Sequence, residues 1–126
     1  MRYRGIQYYI CGQHCRLIDG KQVWYNASHH DESAVTAYVD DVIAAMDSGL
    51  FLYIAHPDHF MNGYRIWDKF GEAQSRRLIE AAVKRNIPLE INVAGIRFAE
   101  YKHRKNGNGD PIENMYPYPA FWDLVS

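Results

Sequence analysis

Six consecutive apolar residues, Leu50-Phe51-Leu52-Tyr53-Ile54-Ala55, restrict this chain more than any other feature. A short unbroken apolar run has no polar face to turn to water. It reads as a strand covered on both faces, the position strands take in parallel sheets flanked by helices. The preceding segment supports this. Val35, Tyr38, Val39, Val42, Ile43 and Met46 recur at helical spacing, while Asp40, Asp41 and Asp47 fall outside the stripe. Ser28 and Asp31 have capping-box spacing at its front, with Ser33 as the other candidate cap. Gly49 stands where a left-handed residue ends a helix.

The same grammar extends in both directions. Gln7-Tyr8-Tyr9-Ile10-Cys11-Gly12 reads as a first strand ended by glycine. Cys15-Arg16-Leu17-Ile18 and Lys21-Gln22-Val23-Trp24 flank Asp19-Gly20, a tight-hairpin signal because a type I′ turn needs two positive φ angles. A second helix is predicted over residues 72–85, with Leu78, Ile79, Ala82 and Val83 on its apolar side, Asn86 at its end and Pro88 forbidding continuation. Leu89-Glu90-Ile91-Asn92-Val93 then alternates as a third strand, with Glu90 and Asn92 on one face and the apolar residues turned to the helices. Residues 102–111 read as an exposed loop, Tyr116-Pro117-Tyr118 as an extended stretch, and Pro119 as the opening of a short helix. The pattern is βαβαβ, an α/β chain with parallel strands and right-handed crossovers.

Length and charge then exclude whole classes. The 126 residues suffice for one domain or part of one. A formal net charge of −1 lacks the basic footprint of a nucleic-acid binder. No apolar run nears the roughly 20 residues of a membrane helix, so no membrane partner is expected. Cys11 and Cys15 lie too close in sequence for a bridge to constrain much, so reduced thiols and a cytoplasmic location are the expectation.

In parallel α/β folds function gathers at the carboxyl ends of strands. His14, His56 and Arg97 fall there. Imidazoles bind borderline transition metals and arginine grips phosphate with two parallel hydrogen bonds, a combination suited to metal-assisted phosphoryl chemistry. A rival set, Cys11, His14, His56 and His59, has the spacing of a structural zinc site, but a strand would turn Cys11 away from a residue three further on. His56 directly follows the strand, whereas His59 lies beyond Pro57-Asp58, where the chain is expected to leave the strand end. His29, His30 and His103 read as solvated.

Several segments together resemble the PHP (polymerase and histidinol phosphatase) family, in its histidinol-phosphatase-like branch. They are Ile10-Cys11-Gly12-Gln13-His14, Asp19-Gly20, Ala55-His56-Pro57-Asp58, residues 88–97 and Tyr116-Pro117-Tyr118-Pro119-Ala120-Phe121-Trp122. The resemblance implies that residues 1–126 are a single partial domain, part of a distorted (β/α)7 TIM-like barrel. It implies a divalent metal (Zn, Mn or Fe) at His14 and His56, and a small phosphorylated substrate such as L-histidinol phosphate, hydrolysed in histidine biosynthesis. Arg97 maps onto a phosphate contact, and Glu90 and Asn92 are expected to face the same interior. The family's opening His-x-His and closing Asp-x-His segments do not occur in this sequence. The expectation is therefore a central barrel portion, weak or inactive alone, that self-associates through open strand edges. A non-catalytic subunit completed by a partner chain and a small metal-binding module are the alternatives.

Overall fold

In a computed structural model, residues 5, 7–25, 30–100 and 116–126 are described. Strand β1 (Tyr9–Cys11) is followed by a hairpin of β2 (Cys15–Ile18) and β3 (Lys21–Trp24). Asp19 and Gly20 both take positive φ, 49° and 73°, as the two-residue turn requires. Helix α1 (Glu32–Asp47) begins at Asp31, whose carboxylate accepts from the backbone of Ser33 and Ala34. Asp31 itself is the cap, and Ser28 lies outside the described residues. Gly49, with φ 69°, lets the chain turn straight from α1 into strand β4 (Phe51–Ile54).

β4 runs parallel to β1, pairing Cys11 with Ile54. Helices α2 (Met61–Tyr64) and α3 (Lys69–Arg85) come next. Asp68 caps α3 by accepting from the Gly71 N–H, and Asn86 ends it in the left-handed conformation. Two short helices complete the described chain, α4 (Ala94–Glu100) and α5 (Pro119–Asp123), the latter with proline in its first turn. The fold is mixed α/β, with a two-stranded parallel sheet beside the hairpin and no closed barrel among the described residues.

Three expectations need correction. The third strand reduces to one parallel bridge, Leu89 to Ile54. Beyond it the Asn92 side chain accepts from the Ala94 N–H, so the backbone turns into α4 instead of continuing the ladder. Ile91 and Val93 consequently face solvent and do not cover a helix. Second, β4 is not covered on both faces, because Leu52 remains 52% exposed. Third, Val83 is 75% exposed although it shares the apolar spacing of α3. The predicted loop at residues 102–111 lies outside the described residues.

The core lies between α1, α3 and β4. Tyr38, Val39 and Val42 of α1 meet Ile54, Leu78 and Ala82, and Phe60, Met61, Tyr64 and Phe121 close one end. A polar anchor fixes the hairpin to α1. Both carboxylate oxygens of Asp41 accept from the Arg16 guanidinium, at 2.7 and 3.1 Å, and one also accepts from Tyr25 Oη at 2.6 Å. The Tyr25 N–H donates to the His14 carbonyl at 3.0 Å, so the loop carrying His14 is held by a helix as well as by β1.

The contrast between two residues of α3 is directly measurable. Leu78 is fully buried, so Leu78→Ala should cost about 2–5 kcal/mol in urea unfolding. Val83→Ala should cost under about 0.5 kcal/mol. Equal losses would contradict the burial just described.

Candidate functional site

The carboxyl end of the β1–β4 pair is built on one constrained residue. The ladder ends where the Ala55 N–H donates to the Cys11 carbonyl at 2.8 Å. His56 then takes a positive φ of 34°, a strained value for a residue with a side chain. Its peptide groups are held on both sides. The His56 carbonyl accepts from the His59 N–H at 2.9 Å and from Tyr38 Oη at 3.2 Å. The His56 N–H donates to Glu90 Oε2 at 3.3 Å. Glu90 Oε2 also accepts from the Asn92 side-chain amide at 3.1 Å. Glu90 and Asn92 stand together off the strand, with their polar atoms engaged with each other and with the backbone of His56 and Ala94.

The bond from His59 to His56 closes a reverse turn with Pro57 and Asp58 at its centre, the position in which proline favours such a turn. This turn brings His59 back to the strand end. Three imidazoles gather there. Their ring centres are 4.7 Å apart for His14 and His56, 5.0 Å for His14 and His59, and 4.9 Å for His56 and His59. The Tyr116 ring lies 5.5 Å from both His56 and His59. His14 is exposed at the rim, whereas His56 and His59 are 7% and 5% exposed. The chain does not leave the strand end after Pro57-Asp58 as expected, because the turn reverses it within three residues. The expectable signal was Pro57-Asp58 itself, which marks a reversal as well as an exit.

Burial dominates the electrostatics. It lowers the His56 pKa, helped by the nearby His14, and pushes His59 down to about 3, with His56 and His14 adding to the effect. Both rings are neutral at neutral pH and keep a lone pair. His56 Nδ1 and His59 Nε2 are buried without a hydrogen-bond partner. Gly12 contributes by lacking a side chain, since a Cβ there would stand 3.4 Å from His56 Nε2 and 3.6 Å from His14 Nε2.

Asp58 behaves oppositely. Fully buried, its carboxyl is pushed up by desolvation, while Oδ2 accepts from the Tyr118 N–H at 2.7 Å and Trp122 Nε1 at 3.1 Å. It ties the turn to α5. Nothing in the local sequence marked this role, since its partners lie far along the chain.

The other candidates separate from this cluster. Arg97 lies exposed on α4 and has no ion-pair partner among the described residues. Cys11 is buried in the core, its thiol pushed up by desolvation, and Cys15 is also a free thiol. His30 is exposed, with its Nδ1 against the Tyr64 carbonyl oxygen. His29 and His103 lie outside the described residues.

Neutral, partnerless imidazole nitrogens fit a transition metal as ligands. Among the described residues, no three His, Cys, Asp or Glu side chains stand in metal-holding geometry. The gathered rings are a set of donors whose nitrogens must turn to be used together. No helix among the described residues is long and apolar enough to cross a membrane. No family model, curated protein or solved structure matches the chain.

The buried rings make metal-free stability pH-dependent. An unfolded imidazole takes its proton near pH 6.5, whereas folded His59 resists protonation to about 3. The unfolded state therefore binds more protons in that window, and stability falls as pH drops through it. Urea unfolding at about pH 7 and about pH 4 should show this loss, reduced in His59→Gln. An identical slope in both proteins would refute it.

Proposed function

We propose that this chain belongs to a metal-dependent phosphoesterase of the PHP type, acting on a small phosphomonoester such as L-histidinol phosphate. The observation that carries the reading is the meeting of His14 and His56, 4.7 Å apart, at the carboxyl ends of neighbouring parallel strands. That is where α/β enzymes assemble their sites. The parallel β1–β4 pair with α1 and α3 agrees with a sector of a (β/α)7 barrel.

His14 and His56 are the residues that would hold a divalent Zn, Mn or Fe ion. Such an ion supplies Lewis acidity toward a phosphoryl oxygen and toward water. The protein's own groups do the rest. Glu90, through the His56 N–H, and Tyr38, through the His56 carbonyl, fix the direction in which the His56 ring leaves the strand. Asn92 donates to the Glu90 carboxylate, and this pair together with Arg97 is the proposed substrate-binding set. Arg97, exposed and unpaired among the described residues, is available to a phosphate as a two-pronged donor.

A second reading, in which a second copy of the chain completes the site, is favoured by apolar surface at the sheet. Ile10 is 45% exposed and Leu52 more than half. A separate apolar groove of about 350 Å³ is lined by Ile79, Val83, Leu89, Trp122 and Val125 among others. Exposed apolar surface at strand edges favours association.

Phosphate release from L-histidinol phosphate with added Mn²⁺ or Zn²⁺, at several protein concentrations, tests both readings. Activity per chain should rise with concentration if a second copy is needed. Arg97→Lys should raise KM several-fold, because lysine cannot reproduce the paired hydrogen bonds. Metal-independent turnover, or Arg97→Lys kinetics equal to wild type, would remove the corresponding assignment. Gly12→Ala should keep its stability, since the added methyl meets the two imidazole nitrogens only at contact distance, yet weaken Zn²⁺ binding in a calorimetric titration. Unchanged affinity would place the ion elsewhere.

A further inference from the structure

We infer that His59 is a third imidazole ligand of the same centre, binding through Nε2, with Asn62 as its positioning residue. The inference rests on the metal reading above and adds a residue to it. Three observations carry it.

The first is spacing. Three imidazoles on one tetrahedral ion, each nitrogen about 2.0–2.1 Å from it, have ring centres about 5 Å apart. The distances of 4.7, 4.9 and 5.0 Å form a nearly equilateral triangle of that size. These distances place the rings; the nitrogens are not in metal-holding geometry as they stand and reach it only by turning within this triangle.

The second is the division of labour on the ring. Histidine ligands characteristically engage their other nitrogen with a hydrogen-bonding group, which sets tautomer and orientation. His59 Nδ1 lies 3.5 Å from the Asn62 side-chain amide nitrogen, and with the amide turned over its oxygen would accept from Nδ1–H. The Asn62 backbone is fixed in turn, its N–H donating to the His59 carbonyl at 3.0 Å and its carbonyl accepting from Arg65 Nε at 2.9 Å. Nε2 is left over, and it is the buried nitrogen without a partner.

The third is cost. A buried ring nitrogen with no partner forfeits its solvation, and such groups in folded proteins call for a ligand or a function. A histidine held 95% away from water beside two others is a poor choice for simple packing, since an apolar ring would fill the space without that penalty.

The 126-residue chain is titrated with Zn²⁺ and followed by long-range ¹H–¹⁵N spectra of the histidine rings and by calorimetry. The expected result is a shift of His59 Nε2 together with His14 and His56 resonances, with His59 Nδ1 keeping its proton. His59→Gln should lose about tenfold or more in Zn²⁺ affinity, and Asn62→Ala should lose less. Zn²⁺ shifts confined to His14 and His56 would overturn this inference and leave the two-ligand reading standing. No Zn²⁺ binding by the wild-type chain would overturn both. The spectra of the wild-type protein decide the matter even where His59→Gln fails to fold.

Discussion

The peptide of His56 is the point on which the architecture turns. Its positive φ costs about 1–3 kcal/mol. Three hydrogen bonds, each contributing about 1 kcal/mol net, offset that cost. They come from three directions: α1 through Tyr38, the returning turn through His59, and the segment after Leu89 through Glu90. Remove the kink and the chain would run straight off the end of β4. His59 would then lose its place, Asp58 would not reach α5, and Glu90 would have no backbone N–H to hold. A single strained residue thus coordinates elements separated by dozens of positions.

Around this point the protein arranges charge by exclusion. His56 and His59 are kept neutral by burial, and the protonated form is discouraged further by His14 at both and by His56 at His59. Asp58, under the same desolvation, is driven toward its neutral acid. Tyr116 against the imidazoles and Tyr38 beneath them are likewise held as phenols, mainly by burial. The two buried imidazoles therefore present lone pairs, while the Glu90 carboxylate is held by the His56 N–H and the Asn92 amide.

Local chemistry made much of this legible in the sequence. Asp19-Gly20 specified the hairpin because only a few residue pairs tolerate two positive φ angles. The helix ends at Gly49 and Asn86 followed from the same left-handed preference. The pairing of His14 with His56 followed from the parallel strands that carry them. What escaped was decided by distant partners or by the absence of cover. Leu89 begins a strand, but Asn92 diverts the backbone into α4. Val83 has the right spacing to be buried, yet nothing among the described residues closes over it. The chain was expected to leave the strand end after Pro57-Asp58, whereas the turn folds it back. Asp58 gave no sign that an indole and a backbone N–H from α5 would claim it.

Asp58 also imposes an order of events. Its partners, Tyr118 and Trp122, lie 60 and 64 residues further along. During synthesis the His-Pro-Asp-His turn must wait for them, because chains emerge from the amino end and contacts of long separation close late. Until then the carboxylate can stay solvated and ionised. Docking of α5 supplies the two donors that hold Asp58 in the finished fold. Until residue 122 is made, Asp58 is without the indole that holds it in the finished fold.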